Sequence, residues 1–285
     1  MVSQKLPRVI LGTAQLSSPY GVTYFSSAEK PPKEAHLYLQ QAKRLGISIL
    51  DTAPAYGSAE SLIGTSRLQF EIHTKLEKDL DPESSLQASL ARMGTETIDL
   101  LYVHDIEAFK LRPQTISDSL SNLLGVHVKN IGVSIYDIED LELVLKFPSI
   151  THVQLPMNLL DRRFDGKVLR TIQSFGVKCI VRSVFLQGVL LVDPEKLPRR
   201  VGHLYPYLKS LRNELASRGI SQLEGCLALV GNNTAIDGVI LGAQNEDELR
   251  MIMGAWEHVR TTPPDLEWLS EIQLPPAIAV DPRRW

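Results

Sequence analysis

The 285-residue chain has only two cysteines, 6% aromatic residues and no apolar run of the ~18 residues that a bilayer-spanning helix requires. Cys179 and Cys226 are too few for a disulfide framework or a Cys-only zinc site, and each stands among apolar neighbours, as a small core residue does. Runs of basic residues are missing too: 30 Lys+Arg stand against 33 Asp+Glu, for a net charge of -3. Neither nucleic acid nor an anionic membrane surface is therefore an expected partner. The start Met1-Val2-Ser3-Gln4-Lys5 leads into no apolar core of a signal peptide, so a cytoplasmic location is expected. No pair of histidines stands at helical spacing, and no carboxylate–histidine cluster suggests a metal. What is present is a globular mixture, 44% hydrophobic and 22% charged, which rules out wholesale disorder.

Short β-branched apolar runs alternate with longer segments of helical period along the whole chain. Strands are predicted at 8–12, 48–51, 70–75, 100–104, 131–134, 152–155, 178–182 and 238–241. Helices between them include 33–45, 83–93, 138–146, 166–175, 205–217 and 246–255. Gly46, Gly176 and Gly219 fall where a helix needs a left-handed cap. Strand, helix, strand, repeated, forces parallel pairing, and eight such units close a (β/α)₈ barrel. The competing fold, an open doubly wound sheet, binds nucleotides through a G-x-G-x-x-G first turn, which this chain lacks. One barrel domain spanning 1–285 is expected, with a proline-rich tail over 261–285 running along its outside as extended chain. The irregular stretch 190–204, with Pro194, Pro198 and Gly202, reads either as a lid over the barrel mouth or as a plain connection.

Barrels of this kind place their chemistry at the C-terminal ends of the strands. Asp51 closes the second strand, Tyr56 follows in the turn Asp51-Thr52-Ala53-Pro54-Ala55-Tyr56-Gly57, Lys75 closes the third and His104 the fourth. Singly, each has a structural explanation, such as a helix cap for Asp51. Together they have one chemical purpose. A phenol with a pKa near 10 is a poor acid at neutral pH, and a nearby ammonium pulls that value down. Lys75 supplies the charge, Asp51 keeps the buried lysine protonated by ion pairing, and His104 gives a hydrogen bond to a substrate oxygen. The result is a tunable acid facing a carbonyl. His73 and His152 alternate with apolar strand residues and read as buried structural histidines, while Tyr20 and Tyr24 stand either in the substrate cleft or on the surface.

These residues and the words around them resemble the signatures of the aldo-keto reductases. The run is Leu11-Gly12-Thr13-Ala14-Gln15-Leu16, the Asp51 to Gly57 turn, Lys75, His104, Ile131-Gly132-Val133-Ser134 and Val153-Gln154. The resemblance covers nearly the whole chain. It implies a (β/α)₈ barrel that binds NADP(H) or NAD(H) at the strand ends, reduces an aldehyde or ketone, and uses Tyr56 as the acid. Thr13, Asp51, Ser134 and Gln154 then belong to the cofactor site, with Ser134 and Gln154 at positions that hold the nicotinamide carboxamide. Ile135 stands where the family usually has an asparagine. Arg182 replaces an aromatic that stacks on the nicotinamide, and a guanidinium either stacks likewise or pairs with a phosphate. Ser183, Leu186 and Gly188 resemble the pyrophosphate loop, with backbone N–H groups as donors.

The adenine end departs from the family. Gly242, Glu248, Met251 and Ile252 occupy positions that usually hold basic residues around a 2′-phosphate and a Glu-Asn pair beside adenine, while Arg250 stands nearby. A carboxylate at Glu248 would repel that phosphate, which leaves NAD(H) open. Gly242 and Gln244 lead into a helix capped by Asn245, a feature friendly to anions. The expected protein is thus a carbonyl-reducing oxidoreductase, monomeric or weakly homo-oligomeric, acting on a small carbonyl compound. The alternatives are a nicotinamide-binding regulatory or sensor module with little turnover, favoured by the eroded adenine end, and an isomerase or lyase using Lys75, which leaves Asp51, Tyr56 and His104 unexplained.

Overall fold

Residues along each strand belong alternately to two faces, and a computed structural model shows what each face meets. It describes residues 6–17, 21, 35–78, 81–164 and 166–285. The strands are β1 (Arg8–Gly12), β2 (Ile49–Asp51), β3 (Glu71–Lys75), β4 (Leu100–Val103), β5 (Ile131–Ser134), β6 (Ile150–Pro156), β7 (Lys178–Arg182) and β8 (Gly238–Leu241). They form a closed barrel in chain order, every neighbour parallel and β8 paired back to β1. The helices are α1 (Ala35–Arg44), α2 (Ala59–Ser66), α3 (Pro82–Met93), α4 (Ile106–Leu111), α5 (Pro113–Leu123), α6 (Ile138–Val144), α7 (Gly166–Ser174), α8 (Tyr205–Ser217), α9 (Gln222–Gly231) and α10 (Glu246–Thr261). The expected (β/α)₈ barrel is the observed fold.

One face of the strands, carrying Leu11, Leu50, Leu101, Val133, Val153, Val181 and Val239, joins the helices in a single buried core. Residues of the other parity fill the barrel lumen. Ile10, Ile49 and Ile180, with Ile240, form a separate apolar cluster contributed by the adjoining strands β7, β8, β1 and β2. Two glycines make room for large lumen neighbours. A Cβ on Gly238 would lie 2.8 Å from Ile10 Cδ1, and one on Gly132 would lie 2.5 Å from Cε1 of its register partner Tyr102. An alanine at Gly132 would overpack this space, a change that costs about 1–3 kcal/mol in well-packed cores. Toward the C-terminal ends the lumen parity falls on Gly12, Asp51, Lys75, Ser134, Gln154 and Arg182, so the barrel changes from apolar floor to polar mouth.

Most boundaries agree with the sequence reading to within a residue or two. β4 stops before His104 because the chain turns at Asp105, whose Oδ1 accepts the Glu107 and Ala108 N–H groups and starts α4. β6 is longer than expected at both ends, and α10 continues to Thr261 because Trp256 and Val259 extend its buried stripe. Helices α2, α4, α5 and α9 come in addition to those named from the sequence. Of these, α9 carries a Ser221/Glu224 capping box. Gly46, Gly176 and Gly219 have φ of 82°, 72° and 69°, the left-handed values that glycine adopts without strain. Lys33, Tyr20 and Tyr24 lie outside the described residues.

The segment 190–204 is built of 3-10 turns, Pro194–Lys196 and Arg199–Leu204, with Val201 and Leu204 buried in the core. One loop expectation, that of the tail, is corrected. The tail is not extended chain. It forms three 3-10 turns and returns to the mouth, where the Arg283 guanidinium stacks 3.5 Å from the centre of the Tyr136 ring. Its carbonyls explain the path: Ala279 O accepts the Trp285 indole N–H at 3.1 Å, and Leu269 O accepts from Arg162 at 2.6 Å. Proline fixes φ without dictating an extended course.

Candidate active site

Asp51 and Lys75 close adjacent strands, and the barrel stagger brings their buried side chains into contact. Lys75 Nζ lies 2.6 Å from Asp51 Oδ1 and donates to Thr52 O at 2.8 Å. Tyr56 sits above them in the turn before α2. Its N–H is bonded to Ala53 O, and its carbonyl accepts from Ala59 N–H and the Ser17 hydroxyl. Its half-buried ring has the Lys75 ammonium 4.9 Å from its centre.

The charges of this cluster follow from burial and pairing. Burial alone would strip Lys75 of its proton, but Asp51 and Tyr56 outweigh it and raise its pKa. Burial raises the Tyr56 phenol above its ordinary value and Asp51 adds to the rise, while Lys75 and Arg182 pull the other way. The phenol therefore keeps its proton through the neutral range, a net effect opposite to the lowered value expected from Lys75 alone. His104, just past β4, is lowered to about 4 by burial and by the charges of Lys75 and Arg182, so its imidazole is neutral at pH 7. His73, beneath them, is lowered to about 4, chiefly by burial. Among the described residues its Nδ1 has no hydrogen-bond partner, whereas His152 Nδ1 is 2.8 Å from the Thr151 hydroxyl.

A groove of about 460 Å³ runs from Asp51 and Tyr56, past Gln154, Arg182 and the β7 loop, to Gly242, Gln244 and Glu248. Beside it lies a cavity of about 750 Å³ walled by His104, Tyr136 and Arg283, with Leu76, Ile106 and Ile116 among its apolar lining. Of the residues singled out from sequence, Asp51, Tyr56, Gln154, Arg182, Ser183, Gly188, Gly242 and Gln244 line the groove, and His104 lines the cavity. Thr13 is fully buried, and its hydroxyl and N–H both donate to Asp51 O at 3.0 Å, so it braces the end of β2 while Gly12 and Gln15 face the groove. Ser134 is buried at the end of β5, in register with Gln154.

The β7 loop is tightly wound, with positive φ at Ser183, Leu186, Gln187 and Gly188. The backbone N–H groups of Leu186 and Gly188 are engaged within the loop. They bond to Ser183 O and Phe185 O, at 2.9 and 2.8 Å, and the Leu186 side chain is in the core. Leu186 shapes this loop; Phe185 and Gln187 contribute groove wall that the sequence reading did not assign. Lys196, from the segment 190–204, lines the same groove and was also missed; only the tertiary path of that segment brings it there.

At the far end the Tyr38 hydroxyl of α1 donates to Ala243 O at 2.9 Å and pins the loop after β8. Asn245 caps α10 through the Glu248 N–H, and the Glu248 carboxylate turns back to accept the Gln244 N–H at 2.7 Å. A Cβ at Gly242 would fall 2.3 Å from Gln15 Nε2, so only glycine leaves that amide its place. Arg250, noted from sequence as a substitute basic residue, is exposed, pairs with Glu246 and Asp247, and is not part of the groove. Among the described residues no cluster of three or more His, Cys, Asp or Glu is arranged to hold a metal, and no helix is long and apolar enough to cross a membrane.

The family model for the aldo/keto reductase family matches residues 8–273. The chain is 28% identical over 261 residues to L-glyceraldehyde 3-phosphate reductase of Escherichia coli (strain K12), covering 74% of this chain and 75% of that protein. It is 27% identical over 183 residues to the NADH-specific methylglyoxal reductase of the same strain, covering 53% of this chain and 56% of the relative. Its fold matches the holo form of aldo-keto reductase AKR11C1 from Bacillus halodurans with a TM-score of 0.72 at 23% identity, over 93% of this chain and 91% of that one. With the family model spanning the barrel from first strand to tail, the chain belongs to the aldo/keto reductase family, oxidoreductases that act on small carbonyl compounds with nicotinamide cofactors.

Proposed function

We propose that this protein reduces an aldehyde or ketone with NAD(P)H, using Tyr56 as the proton donor, and that NADH is its preferred cofactor. The observation that carries the reading is the buried Asp51–Lys75 pair set beneath the Tyr56 ring. The groove suits a dinucleotide: Gly12, Gly188 and Gly242 line it, and Lys196 on its wall is a cation for the phosphates. It does not suit a 2′-phosphate, because the Glu248 carboxylate occupies the Gln244 N–H and Arg250 is paired elsewhere. A carboxylate at such a position accepts hydrogen bonds from ribose hydroxyls instead.

A bound reduced nicotinamide supplies the hydride. Tyr56 holds its proton at neutral pH and passes it from Oη to the carbonyl oxygen as negative charge builds there. Lys75 stabilises the phenolate left behind, and Asp51 prevents the lysine from discharging. The neutral His104 imidazole, on the wall of the adjoining cavity, orients the carbonyl oxygen by a hydrogen bond. That largely apolar cavity is the substrate chamber in this reading. A monomer or weak homo-oligomer acting in the cytoplasm, with 1–285 as one barrel domain, completes the proposal.

Tyr56→Phe tests it. Turnover of a small aldehyde is expected to fall about 10²–10⁴-fold, the range for loss of a general acid. NADH affinity should stay within a few-fold. An unchanged rate sinks the assignment, and a wild-type protein that binds NADH but reduces no carbonyl favours the sensor alternative.

A further inference from the structure

Arg182 stands at the inner end of β7, in the same stretch of groove wall as Asp51, Tyr56 and Gln154. It is held rigidly. Nη2 donates to Ile135 O at 3.1 Å, Nη1 to the Ser183 hydroxyl at 3.3 Å, and the guanidinium lies 4.1 Å from the Tyr136 ring centre. Arg283 stacks on that ring as well, so Tyr136 is shared by two guanidinium groups. Arg283 has a counter-ion, Asp281, at 2.7 Å. Among the described residues no carboxylate lies within ion-pair distance of Arg182.

Beside Tyr56, Lys75 is paired with Asp51 and His104 is neutral, while Arg182 has no direct ion-pair partner; the carboxylate that feels its charge, Asp161, is bound by Arg163. The field of Arg182 reaches the reacting corner, since it lowers the proton affinity of both Tyr56 and His104. We infer that Arg182 makes this groove discriminate between the two redox forms of its nicotinamide cofactor, holding the reduced form and expelling the oxidised one. The inference rests on the cofactor reading above. The physical reason is simple: the oxidised ring is a cation and the reduced ring is neutral, and the ring must lie in this corner to act beside Tyr56. A half-buried guanidinium whose nearby carboxylate, Asp161, is already held by Arg163 repels the first and not the second. A stacking aromatic in that place would favour the cation instead.

The experiment is a pair of calorimetric titrations of the full chain, one with NADH and one with NAD⁺, on wild type, Arg182→Lys and Arg182→Met. In wild type NADH is expected to bind at least about tenfold more tightly, from one unit charge at close range in a partly desolvated site. Arg182→Lys should keep that ratio, and Arg182→Met should bring it to within about threefold. Equal wild-type affinities overturn the inference with no variant needed. So does an Arg182→Met protein of unchanged melting temperature that keeps the wild-type ratio. Binding of neither form to wild type overturns the nicotinamide reading itself, a result distinct from equal binding of both.

Discussion

The side-chain amide nitrogen of Gln154 lies 2.8 Å from Asp51 Oδ2, across 103 residues of chain, while Lys75 holds Asp51 Oδ1 at 2.6 Å. The carboxylate is therefore clamped at both oxygens, one by an ammonium and one by an amide. A residue expected from family resemblance to hold the nicotinamide carboxamide instead directs its N–H toward the ion pair that serves Tyr56.

Gln154→Leu would remove that donor and leave a buried carboxylate oxygen unsatisfied, a loss of about 1–3 kcal/mol. The expected outcome is a kcat reduced by about tenfold with the Kd for NADH changed less than about threefold. Steady-state kinetics beside a binding titration separates this from a carboxamide role, in which Kd would rise and kcat would be spared.

Glu248→Gln should relax the choice of cofactor. Removing the carboxylate from the Gln244 N–H takes away the repulsion against a 2′-phosphate, and NADPH affinity should rise about tenfold at low salt. NADH affinity should fall slightly. Paired titrations with the two reduced cofactors measure this, and a protein that already prefers NADPH would refute the reading of the adenine end.

His73 should make the fold acid-sensitive. Its pKa of about 4 in the native barrel lies below the ordinary 6.5, so the unfolded chain takes up the proton first as pH falls. The contribution to stability is intact above pH 6.5 and is lost progressively down to about 4. Between pH 7 and 5 the loss from this one group is about 2 kcal/mol. Urea unfolding at the two pH values is expected to show a smaller fall for His73→Leu than for wild type.

Several features could be read without tertiary structure because they are local or periodic. The alternation of eight apolar runs with helical segments implies parallel strands, and the glycines at 46, 176 and 219 mark helix ends through φ alone. Asp51 and Lys75 share the parity that faces the lumen, and Asn245 caps α10 by a contact three residues away. Each of these depends on neighbours in sequence.

What needed the fold were the contacts whose partners are distant along the chain and compete for the same groups. Gln154 meets Asp51 only because the closed barrel brings β6 and β2 to face one another across its lumen. The fate of the Leu186 and Gly188 N–H groups depends on how the β7 loop winds, and that of Arg250 on which side of α10 its partners occupy. The phenol of Tyr56 is raised because burial, a property of the whole site, outweighs the one favourable charge that the sequence reveals. Sequence thus determined which chemical groups reach the barrel mouth. Packing decided which of them remain committed to one another and which face the groove, because hydrogen bonds and desolvation depend on distances that composition and spacing do not set.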